Sequence, residues 1–404
     1  MTALAQAPLG RRMRLRLALI LGGLTAFAPL SIDMYLPGLP ALGDDLSAGA
    51  SSVQLTLTAC MAGLAVGQLV AGPLSDKLGR RPPLLAGVAG YTLASALCAI
   101  APTVWALAGL RFVQGATGAA GIVIARAIVR DTHEGTALVR FFSMLMLVTG
   151  LAPILAPVIG GQVLELTTWR GIFLVLSGIG ALLFAAALYG LRETLPPARR
   201  RDDGVRGTMR TMGALLRDRH FVGFALAGAL SFGALFTYVA GSPFVLQDLY
   251  GASPQAFSAI FAINSIGIVS FGQLNGRLAG RVAPMTMLRI GVTAMAVAGC
   301  AVFAVILIGS LPLIALLVPL WVLVANMGLV FPNTTALALA GHPEAAGSAS
   351  ALLGVLQFVV GALAAPIAGI AGTGTAVPMG AGIAALALLS LLTLRLSVRP
   401  AAPR

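Results

Sequence analysis

Two charged residues stand inside stretches that otherwise avoid charge. Asp33, in SIDMYLPGLP (residues 31–40), is the only Asp, Glu, Lys or Arg between Arg16 and Asp44. Arg111, which opens RFVQGATGAAG, is the only one between Pro82 and Ala125. A charge at the centre of a bilayer costs about 3 kcal/mol even on the lower scales, so such residues are kept for a reason. A carboxyl group can take up and release a proton, whereas a guanidinium keeps its charge. Burial and a neighbouring cation act on a carboxyl's proton affinity in opposite directions, so a change in either can load or unload it. The plainer alternatives are an Asp that caps a helix break before Pro37 and an Arg that snorkels to the interface.

The elements that must hold these residues are transmembrane helices. Hydrophobic residues fill 58% of the 404 positions and charged residues only 10%, against roughly 25% charged in soluble proteins. Mean hydropathy is +0.96, and no soluble fold hides that much apolar surface. Apolar runs long enough to cross a bilayer fall near 17–39, 53–73, 82–101, 103–125, 141–163 and 170–191. Six more fall near 220–243, 255–275, 284–309, 312–337, 347–371 and 375–396. The tight turns Ala101-Pro102-Thr103 and Ser310-Leu311-Pro312 separate the closest neighbours. The first run, Leu17 to Gly43, is too long for the core of a signal peptide.

Twelve spans divide at one long polar stretch. Residues 1–191 form a first six-helix bundle, 192–219 a cytoplasmic linker, and 220–404 a second six-helix bundle. Part of the linker is expected to lie on the membrane as an amphipathic helix. With both termini cytoplasmic, Arg170 is the one basic residue placed outside and Arg111 lies deep in a span, as the positive-inside rule requires. The net charge of +13 is then explained by topology and anionic lipid headgroups, with no nucleic-acid partner. Counting 1.5 Å per residue from the outer ends, Asp33 lies roughly 9 Å deep and Arg111 roughly 12 Å deep. The two could therefore pair or share one polar cavity.

The halves also carry a repeated loop. GPLSDKLGRRP (72–82) follows span 2, and GQLNGRLAGR (272–281) follows span 8, at the same topological place. Parallel repeats of this kind mark transporters. In the first copy Gly79 allows a tight turn, Asp76 can cap a helix start, and Lys77, Arg80 and Arg81 stay in the cytoplasm. In span 5, GLAPILAPVIGG (150–161) puts Gly150, Pro153, Pro157, Gly160 and Gly161 along roughly one bare face. A neighbouring helix can approach that face closely, while the prolines remove backbone donors. Cys60, Cys98 and Cys300 lack metal or disulfide spacing, and His133, His220 and His342 share no motif. No metal site, disulfide framework or catalytic cluster is indicated, so the chain does not read as an enzyme.

These motifs carry a family resemblance. The loop Gly72–Arg81 fits the G-x-x-x-D-[RK]-x-G-[RK]-[RK] pattern between spans 2 and 3 of the major facilitator superfamily. PLSIDMYLPGLP, APILAPVIGG and ETLP after span 6 resemble its Bcr/CflA group of twelve-span drug:proton antiporters, which includes bicyclomycin and chloramphenicol exporters. Ala156 departs from the antiporter signature G-P-x-x-G-G. The resemblance implies an all-α major facilitator fold of two pseudo-symmetric bundles, acting as a monomer in the bacterial inner membrane. It implies export of small drug-like compounds by alternating access, driven by the proton gradient without a cofactor. Asp33 would be the proton-coupling acid with Arg111 as its partner, while Gly72, Asp76, Gly79 and Arg80 would form a gating loop. Tyr35, Gln114, Tyr238, Asn326 and Gln357 are candidates for the cavity lining. The alternative is proton-coupled transport of a specific metabolite, such as a sugar or amino acid.

Overall fold

The computed structural model describes residues 11–133, 135–200, 204–309, 312–342, 345–372 and 374–397. The expected turn at Ser310-Leu311 and the Asp202-Asp203 pair of the linker lie outside them. In the first half, α1 (Arg11–Thr25), α2 (Phe27–Asp33), a 3-10 turn at Leu36–Gly38 and α3 (Leu39–Asp45) make one broken span. Then come α4 (Ala50–Leu78), α5 (Arg81–Ala99), α6 (Val104–Thr132), α7 (Gly135–Leu166) and α8 (Trp169–Gly190). The linker holds α9 (Gly204–Leu215). In the second half, α10 (Arg219–Pro243) runs on through a π-turn, followed by α11 (Pro254–Leu278) and α12 (Pro284–Ile308). The chain ends with α13 (Leu313–Ala325), α14 (Met327–Ala340), α15 (Ala346–Ala364) and α16 (Val377–Ser397).

Among the described residues, ten helical runs are long and apolar enough to cross a membrane, and the bent first span is an eleventh. The 32-residue α7 is the twelfth, with described apolar sequence over 150–166. Several helices overrun the hydrophobic limits, because a helix need not stop where the hydrocarbon does: α4 continues to Leu78 and α6 to Thr132.

Proline explains where the first span breaks. Pro29 has no N–H for the Thr25 carbonyl, and the axis bends by 44° at Ala26. Pro37 and Pro40 likewise leave the Asp33 and Leu36 carbonyls without their helical donors, and the chain tightens into the 3-10 turn there. Span 10 breaks at Asn326, whose side chain donates back to the Val322 carbonyl at 2.8 Å.

Glycine sets the closest crossing. A methyl group at Gly63 or Gly67 of α4 would strike the Phe112 or Ala116 carbonyl of α6, and one at Gly115 the Cys60 carbonyl. The second half repeats this at Gly328 of α14, which lies against the Ile268 carbonyl of α11. The loops after spans 2 and 8 match too. Gly79 and Gly280 both take positive φ, 94° and 82°, which is open to glycine and strained for other residues.

The halves meet along two seams, α4 against α15 and α7 against α11. Among the described residues, every hydrogen bond between the halves lies from mid-bundle to the end away from the linker. Gln54 Nε2 donates to the Ala240 carbonyl at 3.1 Å and Thr58 to that of Ala362 at 2.9 Å. Gln247 Nε2 donates to the Pro37 carbonyl at 3.2 Å. At the linker end, α9 packs on both α4 and α15, burying Met212 and Leu215. These two side chains are thus covered by the two halves, while Met209 of the same helix stays exposed.

Candidate functional site

Arg111 is fully enclosed, with 0% of its surface exposed, and does not snorkel. Its Nη2 donates to the Ser31 carbonyl at 2.7 Å, and its Nη1 donates to Gln114 Oε1 one turn along α6. The guanidinium lies 4.4 Å from the centre of the Tyr35 ring and 5.5 Å from that of Phe173, an arrangement that holds a cation without a counter-ion. Gln114 Nε2 passes the network to Ser95 Oγ at 2.7 Å, and Ser95 donates to the Tyr91 carbonyl at 2.7 Å. Tyr91 Oη meets Ser31 Oγ at 2.8 Å, and Tyr35 Oη meets Thr56 Oγ1 at 2.8 Å. Spans 1 to 4 are therefore joined around one buried cation. Ser31, Thr56, Tyr91 and Ser95 carry no sequence signal, because hydroxyls inside spans are common.

Asp33 ends α2, two residues beyond the carbonyl that Arg111 holds. Acid and base thus lie at one level of the bundle, but they do not pair. Asp33 is 7% exposed and, among the described residues, its carboxyl has no hydrogen bond or ion pair. The guanidinium is taken by the span-1 backbone, by Gln114 and by two rings. The direct Asp33–Arg111 pair allowed for from the sequence is absent, and the base instead fixes the helix end that carries the acid.

The other cavity candidates separate. Tyr35 and Gln114 belong to the Arg111 network. Tyr238 lies in the second half, where its Oη accepts from Asn264 Nδ2 at 2.7 Å and its ring stacks on Phe261. Asn326 is tied into the break of its own span, and Gln357 is half-buried on α15.

The loop after span 2 closes on charges from distant segments. Arg80 pairs with Asp76 one turn back, with Asp131 Oδ2 at 2.8 Å, and with Ser75 Oγ at 2.9 Å. Asp76 sits in the last turn of α4 and caps no helix start. That task falls to Glu193, whose carboxylate accepts from the backbone N–H groups of Arg80 at 2.8 Å and Arg81 at 3.1 Å, ahead of α5. It also accepts from Thr194 and Leu195, both at 2.9 Å. These N–H donors outweigh its partial desolvation and hold the Glu193 carboxyl below the usual glutamate range. Glu193 belongs to the ETLP segment, a signal available in the sequence; nothing there marked Asp131. Gly79 lies over the Glu193 carboxylate, while Gly72 has ordinary room beside Val123. In the second copy the ion pair becomes an amide pair, Asn333 Nδ2 donating to Asn275 Oδ1 at 2.7 Å.

The small and proline residues of α7 serve two neighbours, not one face. A Cβ on Gly160 would run into the Met34 carbonyl of span 1. Gly161 faces Ser258 and Gly150 faces Val269, both on α11. The Pro153 and Pro157 carbonyls also point there, accepting from Ser265 Oγ at 3.2 Å and Ser258 Oγ at 2.8 Å.

Among the described residues, no group of His, Cys, Asp and Glu could hold a metal. The sequence matches the Major Facilitator Superfamily over residues 21–366. It is 45% identical over 376 residues to an uncharacterized MFS-type transporter, YdgK, of Bacillus subtilis, covering 93% of each chain. It is 32% identical to a bicyclomycin resistance protein homolog of Haemophilus influenzae, covering 93% of this chain and 94% of that one. The multidrug resistance protein MdtL of Escherichia coli is 31% identical over 237 residues, 59% of this chain and 60% of that one. Among solved structures, the nucleoside transporter NupG superposes with a TM-score of 0.76 at 13% identity, over 96% of this chain and 100% of that one. A D-xylose-proton symporter gives 0.72 at 16% identity, over 94% and 97% of the two chains. Twelve spans in two related halves, the charged loop after span 2 and a match over most of the chain agree: this protein is a member of the major facilitator superfamily, with its fold of two six-helix bundles.

Proposed function

We propose that this chain exports small drug-like compounds across the bacterial inner membrane in exchange for protons, by alternating access between its two halves. It acts as a monomeric transporter rather than an enzyme, needs no cofactor, and keeps both termini in the cytoplasm. The observation that carries the proton coupling is Asp33: a buried carboxyl without a partner among the described residues, on a helix end that Arg111 holds by its backbone. Such a group is free to exchange a proton or to meet a ligand, because no ion pair must first be broken. Relatives named for bicyclomycin and multidrug resistance support drug export over transport of a specific metabolite. The basic residues gathered at the linker end support the orientation. Residues 1–191 and 220–404 serve as the moving units, joined by 192–219, and the loop around Asp76, Gly79 and Arg80 as a gate.

The test is Asp33→Asn, which is isosteric but cannot ionise. Cells expressing it should lose resistance across a susceptibility panel to which the parent protein confers it, with equal protein in the membrane. In everted vesicles, drug addition should no longer move protons. Resistance equal to the parent's would remove Asp33 from the coupling role.

A further inference from the structure

The seam between α7 and α11 contains an unusual pair of hydrogen bonds. Pro157 has no N–H, so the carbonyl four residues before it, that of Pro153, lacks its helical donor. A carbonyl without a donor is costly in a membrane interior. The donor present is Ser265 Oγ, at 3.2 Å, from the other half of the molecule. Two turns away, Ser258 Oγ donates to the Pro157 carbonyl at 2.8 Å, and Gly161 leaves the room its hydroxyl occupies.

Each serine also has a second acceptor, in its own helix. Ser265 Oγ lies 3.0 Å from the Phe261 carbonyl, and Ser258 Oγ lies 2.8 Å from that of Pro254. A hydroxyl has one proton to donate, so in each case the cross-seam bond and the home bond are alternatives reached by turning the O–H about the Cβ–Oγ bond, with the oxygen in place. The home bond, to the carbonyl four residues back, is a standard retreat for serine in a helix.

We propose that Ser258 and Ser265 are release rotors of the transport cycle. With the seam closed, their protons point to the proline carbonyls of α7; as the halves part, they swing to their own helix, so opening strands no donor. The proline carbonyls then face the water that enters the opened seam. Proline at 157 supplies the free acceptor, and serine, with its single proton and two acceptors, makes the contact easy to break. The seam is thereby firm enough to seal and weak enough to open. This rests on the alternating-access reading above, since rotors matter only if the halves separate.

A double-mutant cycle with a conformational readout tests it. Spin labels at Leu166→Cys and Leu249→Cys, in a Cys300→Ala background, report the distance between the halves at the end away from the linker by pulsed electron resonance, without drug. Ser265→Ala removes the donor and should raise the ratio of open to closed molecules about three- to twentyfold, the range for one interhelical hydrogen bond in a membrane. Pro157→Ala gives the Pro153 carbonyl a helical N–H, so Ser265→Ala should then change the ratio less than twofold. Ser258→Ala alone should act in the same direction as Ser265→Ala. An equal effect of Ser265→Ala in both backgrounds, or none in either, would overturn the proposal while leaving transport untouched. A parent protein locked at a single distance at every pH and with every drug would overturn the rotors and alternating access together. Elution as a monodisperse peak confirms that each variant is folded before its ratio is read.

Discussion

Arg111→Lys separates what the guanidinium does by shape from what it does by charge. Both side chains are cations, and the more strongly hydrated ammonium is no cheaper to bury, so the loss of contacts sets a lower bound on the effect. The guanidinium reaches the Ser31 carbonyl and Gln114 Oε1 at once while its plane covers Tyr35. A single ammonium can serve one of those acceptors, leaving the other buried without a donor at a cost of about 1–3 kcal/mol. The lost stacking adds about 1 kcal/mol, for a total near 3 kcal/mol. With roughly 2 cal/mol/K of unfolding entropy per residue, that lowers the melting temperature of a chain this size by about 4 °C. Purified parent and variant proteins are compared by thermal melting, with efflux from cells measured in parallel. The helix end bearing Asp33 loses its anchor, so efflux should fall at least tenfold with the protein still in the membrane. A Lys variant that melts and transports like the parent would refute the argument, because the span-1 carbonyl would then need no planar donor.

Two further predictions concern the loop after span 2. Gly79→Ala places a β-carbon at φ 94° and 2.6 Å from Glu193 Oε2, at a cost of about 1–3 kcal/mol; efflux should drop while membrane abundance holds, and unchanged efflux would show that the turn is not needed. Glu193 is held below its ordinary range in the folded protein, so its stabilisation is present above the unfolded glutamate pKa of about 4.3 and is lost as pH falls through the lower folded value. Melting temperature should therefore decline on acidification below that point, and Glu193→Gln should flatten this part of the profile and lower the plateau above it by about 1 °C, the equivalent of a lost cap of on the order of 1 kcal/mol; superimposable profiles would contradict the cap.

The sequence by itself determined the number of spans, the division into halves and the isolation of Asp33 and Arg111, because hydrophobic length and stray charge are properties of local sequence. It also located the charged loop, whose glycine returns with positive φ in both copies. What the tertiary structure decided was the partner of each group. Asp33 and Arg111 lie at one level yet remain apart, since a carbonyl 80 residues before Arg111 in the chain competes for the guanidinium. Glu193 caps a loop 113 residues away, and α9 packs on a helix of each half. Pro157 announced a missing donor at the Pro153 carbonyl, but only the packing of the halves supplied Ser265 as its replacement. A missing or unpaired polar group is written in the sequence; what satisfies it depends on which helices the fold brings within 3 Å.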